Sequence, residues 1–149
     1  LFEDFVSVLL LTITNPWVDT GKEQLVVPVS SPEAVRRARP RSDAFTRLRS
    51  EDGHSMAYVF ADGGDAKGTV VSRFFFPSGG AVLEDPATGS ACANLGGWFL
   101  AVRPGDDIAR TVSQGDEAGR PSTLELDVSG GAVRVGGRVL ELGRGTVSL

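Results

Sequence analysis

One cysteine, one histidine, one methionine and one tyrosine are all that 149 residues contain of those types. A single cysteine excludes an internal disulfide framework, and beside a single histidine it excludes a recognisable zinc cluster, so no metal site is expected. Basic charge is also scarce: 15 Lys and Arg stand against 19 Asp and Glu, giving a net charge of -4 and a pI near 5.0. Neutralising a nucleic-acid backbone needs a surplus of cations, so no nucleic-acid partner is expected, whereas a small ligand held by a local site remains open. Long apolar runs are missing too. "FVSVLLLTIT" (Phe5 to Thr14) is ten residues long and follows Glu3 and Asp4, too short to cross a bilayer and wrongly flanked for a signal peptide. It reads as a buried strand, no membrane partner is expected, and a reducing cytoplasm is the natural setting. The chain begins at Leu1 without a Met, which leaves open an upstream stretch lost to processing, cloning or disorder.

What the chain does have is 41% hydrophobic residues over a length suited to one compact domain. "QLVVPV" (Gln24 to Val29) has the β-branched content of a strand. In "SSPEAVRRARP", Ser31 caps a helix, Pro32 suits its first turn, Ala34, Val35 and Ala38 form a narrow apolar stripe, and Pro40 ends it. "SDAFTRL" predicts a second short helix capped by Ser42, with Phe45 and Leu48 turned inward. "HSMAYVFAD" (His54 to Asp62) and "TVVSRFFFP" (Thr69 to Pro77) predict an antiparallel hairpin, and the last third of the chain predicts four or so strands between glycine-rich turns. Arg36, Arg37, Arg39, Arg41, Arg47 and Arg49 form the one basic cluster, which in an acidic chain reads first as a solvated helix face and second as a surface for an acidic partner.

The informative stretch is "EDPATGSACANLGGWF" (Glu84 to Phe99). It predicts a helix starting near Thr88, with Ala91, Leu95, Trp98 and Val102 on one face and little bulk elsewhere. Gly96 and Gly97 each cost about 1 kcal/mol relative to Ala inside a helix, so close packing must offset them. A helix small on most sides, set among short alternating strands, predicts an α+β domain whose curved, mostly antiparallel sheet wraps around it. At its opening, backbone N–H groups gather with the hydroxyls of Thr88 and Ser90 where the helix dipole favours an anion, and Gly89 permits close approach of a ligand. A substrate carboxylate fits there. Asp85, just before the first turn, either caps the helix or holds a substrate proton or amine. Asp, Thr and Ser are also ordinary capping residues, so helix-start chemistry by itself leaves a structural cap equally open. Cys92 reads as a buried inert thiol rather than a nucleophile, and His54, with no companion at ligand spacing, as structural.

The segment "RFFFPSGGAVLEDPATGSACANLGGWF" resembles the signature of the PhzF-like proteins of phenazine biosynthesis, within the diaminopimelate epimerase superfamily. "DTGKEQLVVPV", "RPRSDAFTRL" and "QGDEAGRPSTLELDV" agree with it, so the similarity runs from about Asp19 to the end. The resemblance implies one half of a two-domain fold, each half a curved sheet around a central helix, with the active site between the two helix openings. It implies proton transfer by acid/base catalysis without metal or organic cofactor. Asp85 matches the family's active-site aspartate, and Gly89 and Ser90 match positions that hold the substrate carboxylate. Superfamily racemases use two cysteines instead. Pro86 stands at the corresponding place here, which disfavours that chemistry. The family's general base is a glutamate of the first half, so residues 1–149 are expected to be the second-half domain alone. The expected partner is a first-half domain or a second copy of this chain, giving a dimer. The alternative is a ligand-binding or self-associating module that kept the fold without catalysis.

Overall fold

A computed structural model describes residues 17–45, 47–66 and 68–147. The strand expected at Phe5 to Thr14 lies outside the described residues. The elements are β1 (Trp17–Val18), β2 (Gln24–Pro28), α1 (Pro32–Arg37), α2 (Ser42–Phe45), β3 (Ala57–Asp62), β4 (Thr69–Ser78), β5 (Ala81–Asp85), α3 (Gly89–Val102), β6 (Ile108–Gln114), β7 (Ser122–Ser129) and β8 (Ala132–Gly137). All eight strands among the described residues join one sheet in the order β1-β2-β3-β4-β6-β7-β8, with β5 also on β4. The β2–β3 and β4–β6 pairs are parallel and the other five antiparallel, so the sheet is mixed and mostly antiparallel, as expected.

The sheet curls around α3, and period-two alternation sorts its side chains between two apolar layers. On the inner face, Val26, Tyr58, Phe60, Val70, Phe74, Val112, Leu124 and Leu126 pack on Ala91, Cys92, Leu95, Trp98 and Phe99 of α3. Trp98 meets Phe60 edge-on at 5.0 Å and Phe99 at 5.2 Å between ring centroids. Burial of each such large side chain contributes about 1.5–3 kcal/mol. On the outer face, Leu25, Val27, Ala57, Val59 and Phe75 are covered by Val35 of α1, by Ala38 at its C-terminal end and by Phe45 of α2. Ser31 caps α1 as its sequence predicts, accepting from the Ala34 N–H at 3.2 Å. Ser42 is the first residue of α2 rather than its cap.

Three further points differ from what the sequence predicts. The strand expected from His54 begins at Ala57, and His54 sits exposed in the preceding loop beside Asp52, with Nε2 to Oδ2 at 3.6 Å. β5 was not expected. Its signal was "SGGA", since Gly79 and Gly80 both take positive φ (57° and 81°) and so close a tight hairpin onto β4. The third correction is that the last part of the chain forms three strands rather than four or so among the described residues, with no strand from Arg138 to Val147. No helix among the described residues is long and apolar enough to cross a membrane.

Candidate functional site

Two strands share one edge of β4. β6 pairs with Thr69 to Ser72, ending with Gln114 opposite Ser72, while β5 pairs with Phe74 to Ser78, ending with Asp85 opposite Phe74. The sheet therefore has a slit at Arg73, and the chain leaves β5 through it to start α3. Gly115, with φ at 87°, lies so close to this exit that a Cβ there would stand 2.6 Å from the Pro86 carbonyl oxygen and 2.4 Å from that of Arg120. No side chain fits at that position, so the turn after β6 is held against the start of α3 by backbone contact.

Alternation along β5 gives its two terminal carboxylates opposite surroundings. Glu84 turns outward beside Phe75 and is gripped by Arg73, Nη2 to Oε2 at 2.6 Å and Nε to Oε1 at 3.1 Å. The same guanidinium donates to the carbonyls of Arg36 and Ala38 at 3.0 and 2.8 Å, closing the C-terminal end of α1. Asp85 turns inward, half-buried, toward the opening of α3. The Thr88 hydroxyl donates to Asp85 Oδ2 at 2.6 Å. Behind both lies the buried amide of Gln114, whose Nε2 donates to the Asp85 carbonyl at 2.7 Å and to Thr88 Oγ1 at 3.0 Å, and whose Oε1 accepts from the Thr88 N–H at 3.4 Å.

With its hydroxyl turned to Asp85 and its oxygen accepting from Gln114, the N-cap Thr88 makes no side-chain cap on α3. The N–H groups of Gly89, Ser90 and Ala91 then have no acceptor within the helix, the Cys92 N–H being the first to find one, on the Thr88 carbonyl. Gly89 and Ser90 are exposed. A second buried amide approaches from the other side: Gln24, the first residue of β2, donates from Nε2 to Ser90 Oγ at 3.2 Å. Asp85, Thr88, Gly89 and Ser90 are thus brought together at one mouth, with an acceptor on one flank and several donors on the other. Sequence reasoning missed Gln24, Gln114 and Arg73. Gln24 and Gln114 sit inside stretches that were read as strands, and a glutamine in a strand carries no sequence signal of burial. Burial pushes the Cys92 thiol up to about 12, helped by the Glu125 charge, so it stays protonated and inert at neutral pH. The arginine cluster is a solvated face: Arg36 pairs with Glu33, Arg41 and Arg47 with Asp43, and Arg39 with Glu117.

The sequence profile of the phenazine biosynthesis-like proteins, PhzC–PhzF, matches residues 9–147. The chain belongs to this family. The match begins ten residues before Asp19, where the resemblance read from motifs begins. An uncharacterized isomerase of Pasteurella multocida is 34% identical over 131 residues, 87% of this chain and 43% of that protein. A second uncharacterized isomerase, from Mesorhizobium japonicum, is 34% identical over 136 residues, 84% and 45% of the two chains. Among solved structures, a Bacillus anthracis phenazine biosynthesis protein of the PhzF family superposes with a TM-score of 0.61 at 20% identity, covering 91% of this chain and 52% of its own. That likeness concerns the fold alone. A predicted epimerase from Pseudomonas aeruginosa superposes with a TM-score of 0.54 at 30% identity, over 86% and 43%. The chain spans a little under half the length of the curated relatives it matches.

Proposed function

We propose that the mouth of α3 is the substrate-binding half of an isomerase site that moves a proton by acid/base chemistry without a cofactor. In this reading the N–H groups around Gly89 and the Ser90 hydroxyl take the carboxylate of a small, cyclic or amino-acid-like acid. Asp85 engages a proton-bearing part of the same molecule, and a glutamate from a first-half domain completes the transfer. The observation that carries the reading is the turning of the Thr88 hydroxyl toward Asp85 and Gln114, which leaves the first helix donors uncapped beside the exposed Gly89 and Ser90. Unspent donors at the positive end of a helix favour a negative group, while the Asp85 charge repels simple anions. The site therefore prefers a molecule with an acid and a neighbouring donor.

Calorimetric titration with 2-hydroxy and 2-amino acids tests this. Ser90→Ala is expected to weaken binding by about 1.5–3 kcal/mol, the value of one charge-assisted hydrogen bond, with folding nearly unchanged. Asp85→Asn is expected to shift preference toward plain anions such as sulfate. Equal binding by all three proteins overturns the reading.

A second reading, a module that associates without catalysis, draws on bare apolar surface. Leu83, on the same face of β5 as Asp85, is 46% exposed, and Val139, Leu140 and Leu142 are more so. The two readings separate on proton transfer: a chain that joins a first-half domain yet exchanges no substrate proton with deuterated solvent supports the second.

A further inference from the structure

We infer that Gln24 is a positioning residue that aims the proton of the Ser90 hydroxyl toward the ligand. The inference rests on the proposed binding of a carboxylate at the mouth of α3 and adds what sets its polarity. The argument starts at the main chain, where hydrogen-bond direction is not negotiable. Asn94, one turn beyond Ser90 and buried, accepts on Oδ1 from the Thr20 N–H at 2.9 Å and donates from Nδ2 to the Lys22 carbonyl at 2.8 Å. Its amide can face only one way. The remaining Nδ2 hydrogen is directed at Gln24 Oε1, 2.9 Å away. That assigns the oxygen of Gln24 to Asn94 and leaves its nitrogen for Ser90, to which it donates at 3.2 Å.

A hydroxyl oxygen that accepts an amide hydrogen must turn its own proton elsewhere. Among the described residues no acceptor meets the Ser90 proton, and Ser90 is exposed, so the proton points to the space in front of the helix. Reversing it would flip both amides, break two bonds to the main chain and leave buried polar atoms unmatched, since Gln24 is 1% and Asn94 0% exposed. Ser90 therefore presents its proton to an acceptor such as a carboxylate oxygen, with one lone pair already taken by Gln24. On the opposite flank Gln114 does the converse: it donates to Thr88 Oγ1, so the Thr88 proton is spent on Asp85, which remains an acceptor. The mouth has a donor side and an acceptor side, each held by a buried glutamine, and a molecule carrying an acid beside a proton-bearing group enters in one orientation.

The test is an NMR titration of the 149-residue chain with sodium lactate, which carries an acid beside a hydroxyl, read at the amides of Gly89, Ser90 and Ala91. Gln24→Leu is expected to weaken lactate about threefold, since the unheld Ser90 hydroxyl spreads over about three staggered positions, and to change nothing when Ser90→Ala is already present. Gln24→Glu is the second variant and decides if Gln24→Leu fails to fold. It keeps the acceptor for Asn94 and turns the Ser90 proton toward itself; its charge weakens lactate in both backgrounds, and an extra loss is expected only where Ser90 remains. Equal weakening with and without Ser90 would assign Gln24 a purely structural role and overturn the inference, as would no weakening by the folded variants. Lactate that perturbs none of the three amides in the unaltered chain overturns the carboxylate reading and this inference with it, whereas binding without coupling between positions 24 and 90 sinks the inference alone.

Discussion

Glu84 and Asp85 are joined by one peptide bond and share nothing else. A strand sends consecutive side chains to opposite faces, so one carboxylate is committed to Arg73 and the other is left at the mouth of α3. The Arg73 and Glu84 side chains are 8% and 11% exposed, and their paired geometry links β4, β5 and the end of α1. Replacing such a pair with apolar residues is often tolerated, but removing one member strands a buried charge. Arg73→Met is expected to cost about 3–5 kcal/mol in urea denaturation. Arg73→Met combined with Glu84→Met is expected to recover much of that loss. A single-variant loss below about 1 kcal/mol, the value of an exposed pair, would show that Glu84 reaches water and does not need Arg73.

At the scale of elements, α3 depends on what its glycines omit. A Cβ on Gly96 would stand 2.5 Å from Val133 Cγ1 and 3.1 Å from Leu126 Cδ1, and one on Gly97 would stand 2.9 Å from Val18 Cγ1. Gly96 thus admits β8 and β7, and Gly97 admits β1, from the two ends of the sheet. Without the glycines the sheet could not close so tightly on the helix. Alanine would add about 1 kcal/mol of helix propensity at either position, against an overpacking cost of about 1–3 kcal/mol. Gly96→Ala is expected to lower the thermal midpoint, and by more than Gly97→Ala because its clash is the shorter. A higher midpoint for Gly96→Ala would mean that β8 is free to move away and that the glycine has another purpose. The same closeness places the first turn of α3 between Gln24 and Gln114.

For the whole molecule, the decisive facts are a family match over nearly the full chain and a length below half that of the matched relatives. Leu83 beside the site, with Val139, Leu140, Leu142 and Val147 near the C-terminal end, leaves apolar surface bare. Surface of this kind tends to be covered in an assembly. We propose that a first-half domain of the same family, or a second copy of this chain, covers the face that carries Asp85, burying more than about 800 Å² in total, the upper range of incidental contacts. Sedimentation velocity of the chain alone and mixed with a first-half polypeptide checks this. Leu83→Glu is expected to weaken whichever complex forms by at least about tenfold, because it puts a charge in the interface. A chain that stays monomeric in both mixtures refutes the proposal.

Local chemistry was legible in the sequence by itself. Ser31 and Pro32 mark the start of α1, the alternation through Tyr58 and Phe60 marks β3, and "EDPATGS" marks both the opening of α3 and the four residues gathered at its mouth, because caps, periodicity and turn residues act within a few positions. The small residues of α3 even foretold a helix enclosed by a sheet. Tertiary structure alone decided what becomes of the neighbouring carboxylate, since the pairing of β5 with β4 is what carries Glu84 to Arg73. Only the fold brought Gln24 to Ser90 across 66 positions of chain and Gln114 to Thr88 across 26. Polar residues inside strands look alike in sequence whether they meet water or a buried partner. Their role is set by which strand ends the curled sheet brings beside the helix, and that closure is a property of the whole domain.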